Sequence, residues 1–433
     1  MINLLKKLWR DRRGNALVIA GAALPLVIGS AGFATDTIQW TLWTRQMQRA
    51  ADSSALAGVY GKLAGQTVTS GTCASSTPIS RNQTISNLTT RLGMTPTCTV
   101  QSPPTSGAWT APKFNAVKVT ISGSRALPFS GLFMTTAPTI TTSATAAMVS
   151  SGQYCVRALK KFVGTGLIFQ GNPTVNLKCG MHTNAQGGSA IDPNGTPSIT
   201  ASPMAAAGQI ASQTGFATGT VFQPFSPQQD DPFATQVSGN PVVPNGCNQS
   251  VIQGNQSSVT VTGSSSSSPT TVCYKDLKLT SGQTANFTDA IVLVNAGPLD
   301  INGGATLNCT RCTIVMTSSD GTNAGTVTID GGATVVMTPP TQGTYKDIVI
   351  YKDRRTAECN NCNKINGNSS SSITGAIYIP NQEIQFSGNG GISSNCLQIV
   401  GSTVTFTGNS SIQNTCAATG PHAFDGSLVR LVS

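Results

Sequence analysis

The chain has 433 residues, and only 10% of them are charged, against roughly 25% in an ordinary soluble domain. Histidine occurs twice, at His182 and His422, while 45 glycines and 23 prolines sit among abundant Ser, Thr and Asn. That composition argues against a His-ligated metal enzyme and against a nucleotide or nicotinamide enzyme built from βαβ units, and the net charge of +10 is no mark of nucleic acid, because it forms no basic stripe with aromatic platforms.

Residues 1–14 are a basic tail carrying Lys6, Lys7, Arg10, Arg12 and Arg13. An uncharged run follows, and residues 15–35 are expected to be a transmembrane helix, since 16–34 approaches the ~20 apolar residues a helix needs to cross a bilayer. Pro25 and the glycines are tolerated in such helices. The basic cluster precedes the span and nothing comparable follows, which places the N-terminus in the cytoplasm and the rest outside. The rival reading is a cleaved signal peptide, with small residues at Gly32 and Ala34. The apolar run is longer than the usual ~7–15 residues of a signal, so the uncleaved anchor is preferred.

Residues 36–65 read as an amphipathic stalk helix, with Trp43, Met47, Ala51, Ala55, Val59 and Leu63 on one i+4 ridge and Gly65 as its stop. The ridge is expected to dock on another membrane-anchored helix, or else on the chain's own β domain. Residues 66–150 read as a small β domain: Val117, Val119 and Ile121 alternate, as do Ile140, Thr142, Ala144, Ala146 and Met148.

Residues 151–433 carry an internal repeat. LIFQGNPTVNLKC (167–179), IQFSGNGGISSNC (384–396) and VTFTGNSSIQNTC (404–416) align without gaps, each with Gly-Asn after its Phe and Cys ten residues on. A second form appears as INGGATL (301–307) and IDGGATV (329–335). Short strands between Gly/Asn turns at periods of about 20 to 28 residues are the pattern of β-solenoid rungs, with an irregular antiparallel sandwich as the alternative. The predicted fold is therefore a mainly β ectodomain of parallel solenoid-like repeats on an N-terminal transmembrane and stalk helix. A Gly/Ser/Pro-rich stretch at about 185–271 lacks periodicity and reads as loops or a flexible insertion.

All twelve cysteines follow the span, which on the outer side of a membrane reads as disulfides. Cys396 and Cys416 occupy one position in adjacent repeat copies, and stacked rungs would bring them within bonding range. Nearest-neighbour logic adds Cys73–Cys98, Cys155–Cys179 and Cys247–Cys273, while Cys309, Cys312, Cys359 and Cys362 would close within or between their Cys-x-x-Cys pairs. A four-thiolate zinc site is disfavoured by the separation of those pairs.

RRGNALVIAGAALPLVIGSAGFATD followed by RQMQRAADSSALAG resembles the N-terminal region of TadG-like proteins of Flp (tight-adherence) pilus systems. The matching residues are Arg12 to Asn15, Leu24-Pro25, Asp36 and Gln48 to Gly58. The resemblance implies an inner-membrane protein with a periplasmic domain, acting with other pilus-assembly or pseudopilin-like proteins. Two features depart from the wider pattern. Asp52-Ser53-Ser54-Ala55-Leu56 is the nearest string to a von Willebrand A metal motif and lacks its final Ser. Ile19 stands where a true pilin of this class has Glu, which disfavours a filament subunit.

Solenoids also host glycan lyases and hydrolases, so tethered glycan-binding or glycan-active protein is the alternative function. Tyr351-Lys352-Asp353-Arg354-Arg355, with Asp347 and Glu358, is the densest polar cluster; three carboxylates converging on one groove would favour an enzyme. Asp230-Asp231 before Pro232 reads as a turn rather than a cation site. No catalytic residue, metal ligand or cofactor is expected.

Overall fold

The computed structural model describes residues 12–80, 88, 92–106, 109, 115–132, 134–366, 370–388, 391–414 and 423–432. The chain divides into two compact units, residues 1–149 with 429–433, and residues 150–428. The strand Thr139–Ala158 is shared by chain continuity, and each part is described with its own unit.

In the first unit a single helix, Arg12–Leu63, runs 52 residues with Pro25 inside it. Span and stalk are thus one element, and Val18–Leu63 is apolar and long enough to cross a membrane. The helix ends where Gly65 turns left-handed at φ 75° and the Gln66 N–H donates back to the Gly61 carbonyl at 2.9 Å, a Schellman-type closure that only glycine makes without strain. The second half of the helix lies on an antiparallel sheet in which Thr97–Gln101 pairs Ala116–Ser124, which in turn pairs residues 139–147.

The i+4 ridge packs there. Trp43, Met47, Ala51, Ala55 and Val59 are buried in one cluster with Val117, Val119, Ile121, Ala144 and Ala146, while Leu63 at the end is exposed. This corrects the expectation of a partner helix: the chain's own sheet covers the ridge. The small residues explain why, since a Cβ on Gly58 would fall 2.9 Å from Val117 Cγ1. Alanine and glycine let the helix backbone settle close onto the strands, and the apolar strand face supplies the burial that drives it.

The second unit is a parallel β-solenoid, and the whole chain holds about 11 of its turns. Three faces recur along it, and the first continues at one end beyond the other two. One face runs in space from Thr270–Tyr274 through Ala290–Asn295, Thr313–Thr317, Ile348–Lys352, Gly375–Ile379 and Leu397–Gly401. There it meets not a later rung but an earlier one: Ile399 pairs Val156, and 154–158 then pair Gly180–Thr183, followed by Met204–Ala206. The second and third faces close the same way, Val404–Gly408 onto Leu167–Gly171 and Ser411–Asn414 onto Thr174–Leu177. The last rung of the chain therefore stacks on the first.

This order forces a crossover. From Phe222–Gln223, which pairs Met204–Ala206 at one end, the chain must reach Ser258–Thr262 at the other, nine strand spacings or about 43 Å away along the first face. Residues 207–223 add a further partial turn, with Phe216 bridging Ile199 and Phe222 pairing Met204, and residues 224–257 make the journey as a strap along the outside. Pro227 reaches the His182 rung, Asp230 the Arg157 rung, Phe233 and Val237 the Tyr378 and Tyr351 rungs, and Cys247 the Cys273 rung. The stretch 185–271 is consequently not one insertion: Ile191–Gly195, Ser198–Thr200 and Met204–Ala206 are rungs, and only its middle is the strap. The strap also explains why first-face strands such as Ile348–Lys352, Gly375–Ile379 and Leu397–Gly401 are buried at every residue, whereas Leu299–Ile301 and Ile384–Ser387 alternate. A strand covered on both faces reads as a continuous apolar run.

The repeats align as the sequence requires. Phe386 pairs Phe406, and Phe406 pairs Phe169, so the three rings form one interior stack with centroids 5.5 and 5.2 Å apart. Gly408 and Gly171 turn left-handed at φ 69° and 79°, and a Cβ on Gly171 would sit 3.2 Å from the Gly408 carbonyl oxygen. Ile301 pairs Ile329 and Leu307 pairs Val335, which superposes the two GGAT copies.

Candidate functional surfaces

Asp36 follows the apolar span. Its carboxylate is buried, and its Oδ2 accepts the backbone N–H of Phe129 at 3.2 Å and of Ser130 at 2.5 Å. The acid thus ties the loop before Thr139–Ala158 to the helix. Ser54, in the Asp52-Ser53-Ser54 string, is buried on the helix, and Asp52 Oδ1 accepts the Gln48 side-chain amide at 2.8 Å; both serve helix packing. Ile19 is exposed along the span.

The polar cluster at 347–358 does not gather its carboxylates. Asp353 is buried, ion-paired with Arg355 at 2.7 Å and bonded to the Thr317 hydroxyl at 2.7 Å; burial pushes its carboxyl up, but these donors outweigh it and leave the group below the ordinary range. Glu358 stands exposed in an ion pair with Lys160 at 2.5 Å. Asp347 holds a left-handed backbone at φ 63°, and its carbonyl accepts the Ala376 N–H at 2.7 Å. Lys352 points inward, with Nζ 3.0 Å from Asn363 Oδ1, and burial lowers its pKa to about 7.

Arg354 is the clasp of the strap. Its guanidinium lies 5.2 Å over the Tyr378 ring, donates to the Phe233 carbonyl at 2.7 Å and to that of Val237, and pairs Asp231 at 3.3 Å. Asp231 in turn accepts the Tyr378 hydroxyl at 2.6 Å and caps its own turn through the Phe233 N–H at 2.9 Å. Burial first, then the Asp231 charge, raises the Tyr378 pKa. Asp230-Asp231-Pro232 is thus a turn with one carboxylate spent on the clasp. Neither the clasp nor the strap was legible in the sequence; the one signal was the Asp-Asp-Pro turn amid an aperiodic run.

Two grooves flank this corner. One of about 420 Å³ opens over the second face and is lined by Lys160, Phe162, Gln170, Glu383, Gln385 and Thr405 among others. The one carboxylate among its described lining residues, Glu383, is engaged by the Asn361 N–H at 2.8 Å and the Thr405 hydroxyl at 2.5 Å. The other, of about 380 Å³, includes Asp231, Arg354 and Glu358. Of Asp347, Asp353 and Glu358, only Glu358 lines either groove.

Between described residues, five disulfides join Cys73 to Cys98, Cys155 to Cys179, Cys247 to Cys273, Cys309 to Cys312 and Cys359 to Cys362. Cys155–Cys179 links the two rungs beyond the seam, and Cys247–Cys273 pins the far end of the strap. Cys396 is disulfide-bonded, while Cys416, its expected partner, lies outside the described residues, as does His422.

Fold and surfaces together define a class: a β-solenoid protein carried on a long N-terminal helix of membrane-spanning length. Residues 14–64, which are that helix, match the Tad family model for Flp pilus-assembly TadE/G-like proteins, and this associates the chain with Flp pilus assembly. No curated protein and no solved structure matches the chain.

Proposed function

We propose that this chain is a membrane-anchored structural component of a Flp/Tad-type pilus assembly or secretion apparatus, without catalytic activity. It sits as a single-pass protein in the bacterial inner membrane, with its N-terminus cytoplasmic and its β-rich part periplasmic, where it contacts other pilus-assembly or pseudopilin-like proteins. The match over 14–64 carries this reading. The charge asymmetry about the span supports the orientation, the disulfides support an oxidising compartment, and the structural employment of Asp353, Glu358 and Glu383 supports a scaffold.

Deletion of the protein should abolish or reduce surface pili in electron micrographs, with restoration by the intact chain; a full complement of pili in the deletion strain refutes the role. Protease added to cells with opened outer membranes should digest residues beyond about 40 and spare the tail. Recovery of a soluble form beginning at Thr35 would instead show signal cleavage. A second reading, a tethered glycan binder, draws on the polar groove over the second face, and saturable binding of a defined oligosaccharide, lost in Gln385→Ala, would favour it.

A further inference from the structure

We propose that the loop residues 126–132 and 134 form a second, interfacial membrane contact, seated at the boundary of hydrocarbon and headgroups beside the exit turn of the helix. The inference rests on the reading of 15–35 as a membrane anchor, and it commits to lipid as the occupant of this surface. Between residues 14 and 44 the sole charge is Asp36. That length of helix spans about 46 Å, well beyond the ~30 Å hydrocarbon core and close to the ~40–45 Å of a whole bilayer. The helix therefore stays suited to lipid for several turns after the core is crossed.

The side chains in those turns agree. The Asp36 charge is turned into the loop and met by two backbone N–H groups. The hydroxyls of Thr35, Thr37, Thr41 and Thr44 donate to the carbonyls of Gly32, Phe33, Thr37 and Trp40 at 2.7 to 2.9 Å, so they are satisfied without water. Phe33, Ile38 and Leu42 face outward, 50%, 59% and 48% exposed.

Gly32 fixes the depth of the loop. A Cβ there would fall 2.1 Å from the Phe129 ring, so the ring occupies the side-chain space of a residue inside the span. Above it, the Arg125 guanidinium lies 5.9 Å from the Trp43 ring, eleven residues or about 16 Å farther along the helix. Tryptophan and arginine at that height suit the headgroup level, and from there the loop descends toward the core. No charged residue occurs between Arg125 and Arg157, and Ala126, Pro128, Gly131 and Met134 are exposed. Uncharged residues facing out at the exit of a span fit the apolar side of an interface and not open water.

The test uses the full chain in phosphatidylethanolamine–phosphatidylglycerol vesicles, with an environment-sensitive fluorophore on an added cysteine at Met134 and, separately, at Gly131. Leu24→Cys reports the span, and Ala64→Cys reports the helix end some 48 Å from Gly32. Nitroxide lipids labelled near the top of the acyl chain should quench Met134→Cys and Gly131→Cys several-fold more than Ala64→Cys, and aqueous iodide should do the reverse. Iodide quenching at both loop sites equal to that at Ala64→Cys, with Leu24→Cys quenched by lipid, overturns the loop contact and leaves the anchor standing. If Leu24→Cys also escapes lipid quenching, anchor and loop contact fall together.

Discussion

His182 lies beneath the strap, with Nε2 3.2 Å from the Pro227 carbonyl; burial, then the charge of Arg157, lowers its pKa to about 3. Unfolded, the ring titrates near 6.5. Between those values the unfolded chain binds the extra proton, so stability is full above about pH 6.5 and falls as pH drops toward 3, by up to about 1.4 kcal/mol per pH unit. Denaturant midpoints taken across that window should show the slope, and His182→Gln should flatten it. Lys352 works in the same sense at higher pH. Its folded pKa of about 7 against an ordinary 10.5 means that stability rises with pH between the two and carries its full penalty below 7. Lys352→Met, of similar length and uncharged, should therefore raise stability at pH 6 by a few kcal/mol and have little effect near pH 10. A destabilised Met variant at pH 6 would show that the Asn363 contact outweighs the desolvation.

At the scale of elements, the small residues of the helix and the clasp of the strap make opposite demands. Ala55 and Gly58 are required for what they lack, since the sheet occupies the space a side chain would fill. Ala55→Leu should cost about 1–3 kcal/mol by overpacking, read as a fall in the melting temperature, with Ala55→Ser close to neutral. Arg354 is required for what it reaches. Arg354→Ala removes the guanidinium donor from the Phe233 and Val237 carbonyls and the ion pair to Asp231, and the loss should be about 2–5 kcal/mol. Hydrogen exchange should then show the amides of 228–237 losing protection before those of Gly375–Ile379, because the strap is held from outside a sheet whose interior packing is untouched. Simultaneous loss in both segments would mean that strap and sheet form one cooperative unit.

For the whole molecule, the seam matters most. Rungs that are neighbours in space, such as Leu167–Gly171 and Val404–Gly408, lie more than two hundred residues apart in the chain. The first rung cannot complete its ladder until the last has formed, which raises contact order and slows folding. Phe406 stands in that seam between Phe386 and Phe169. Phe406→Ala should cost about 3–5 kcal/mol and loosen the amides of Leu167–Gly171 and Ile384–Ser387 together, although those strands are remote in sequence. Loosening confined to Ile384–Ser387 would refute the seam.

Much of this architecture is set by short-range patterns. The charge-free run before Asp36 makes the span legible by length, and the i+4 ridge makes the stalk legible by period. The Phe-x-Gly-Asn and GGAT copies mark rungs because each rung needs an inward apolar residue and a left-handed turn within a few positions. Those needs are local, so the sequence carries them. What covers the ridge is not local: Ala51 and Ala55 look the same whether a partner helix or Val117 lies opposite. Rung order is not local either. Parallel stacking pairs equivalent positions whichever copy is adjacent, so three aligned Phe copies establish equivalence and leave adjacency open. The strap has no period of its own, since Phe233 and Val237 answer to the spacing of rungs beneath them, and Pro193 disguises a rung that tolerates it only at the end of its face. Tertiary structure alone decided these points, because burial is a property of what the chain meets and not of what it is next to.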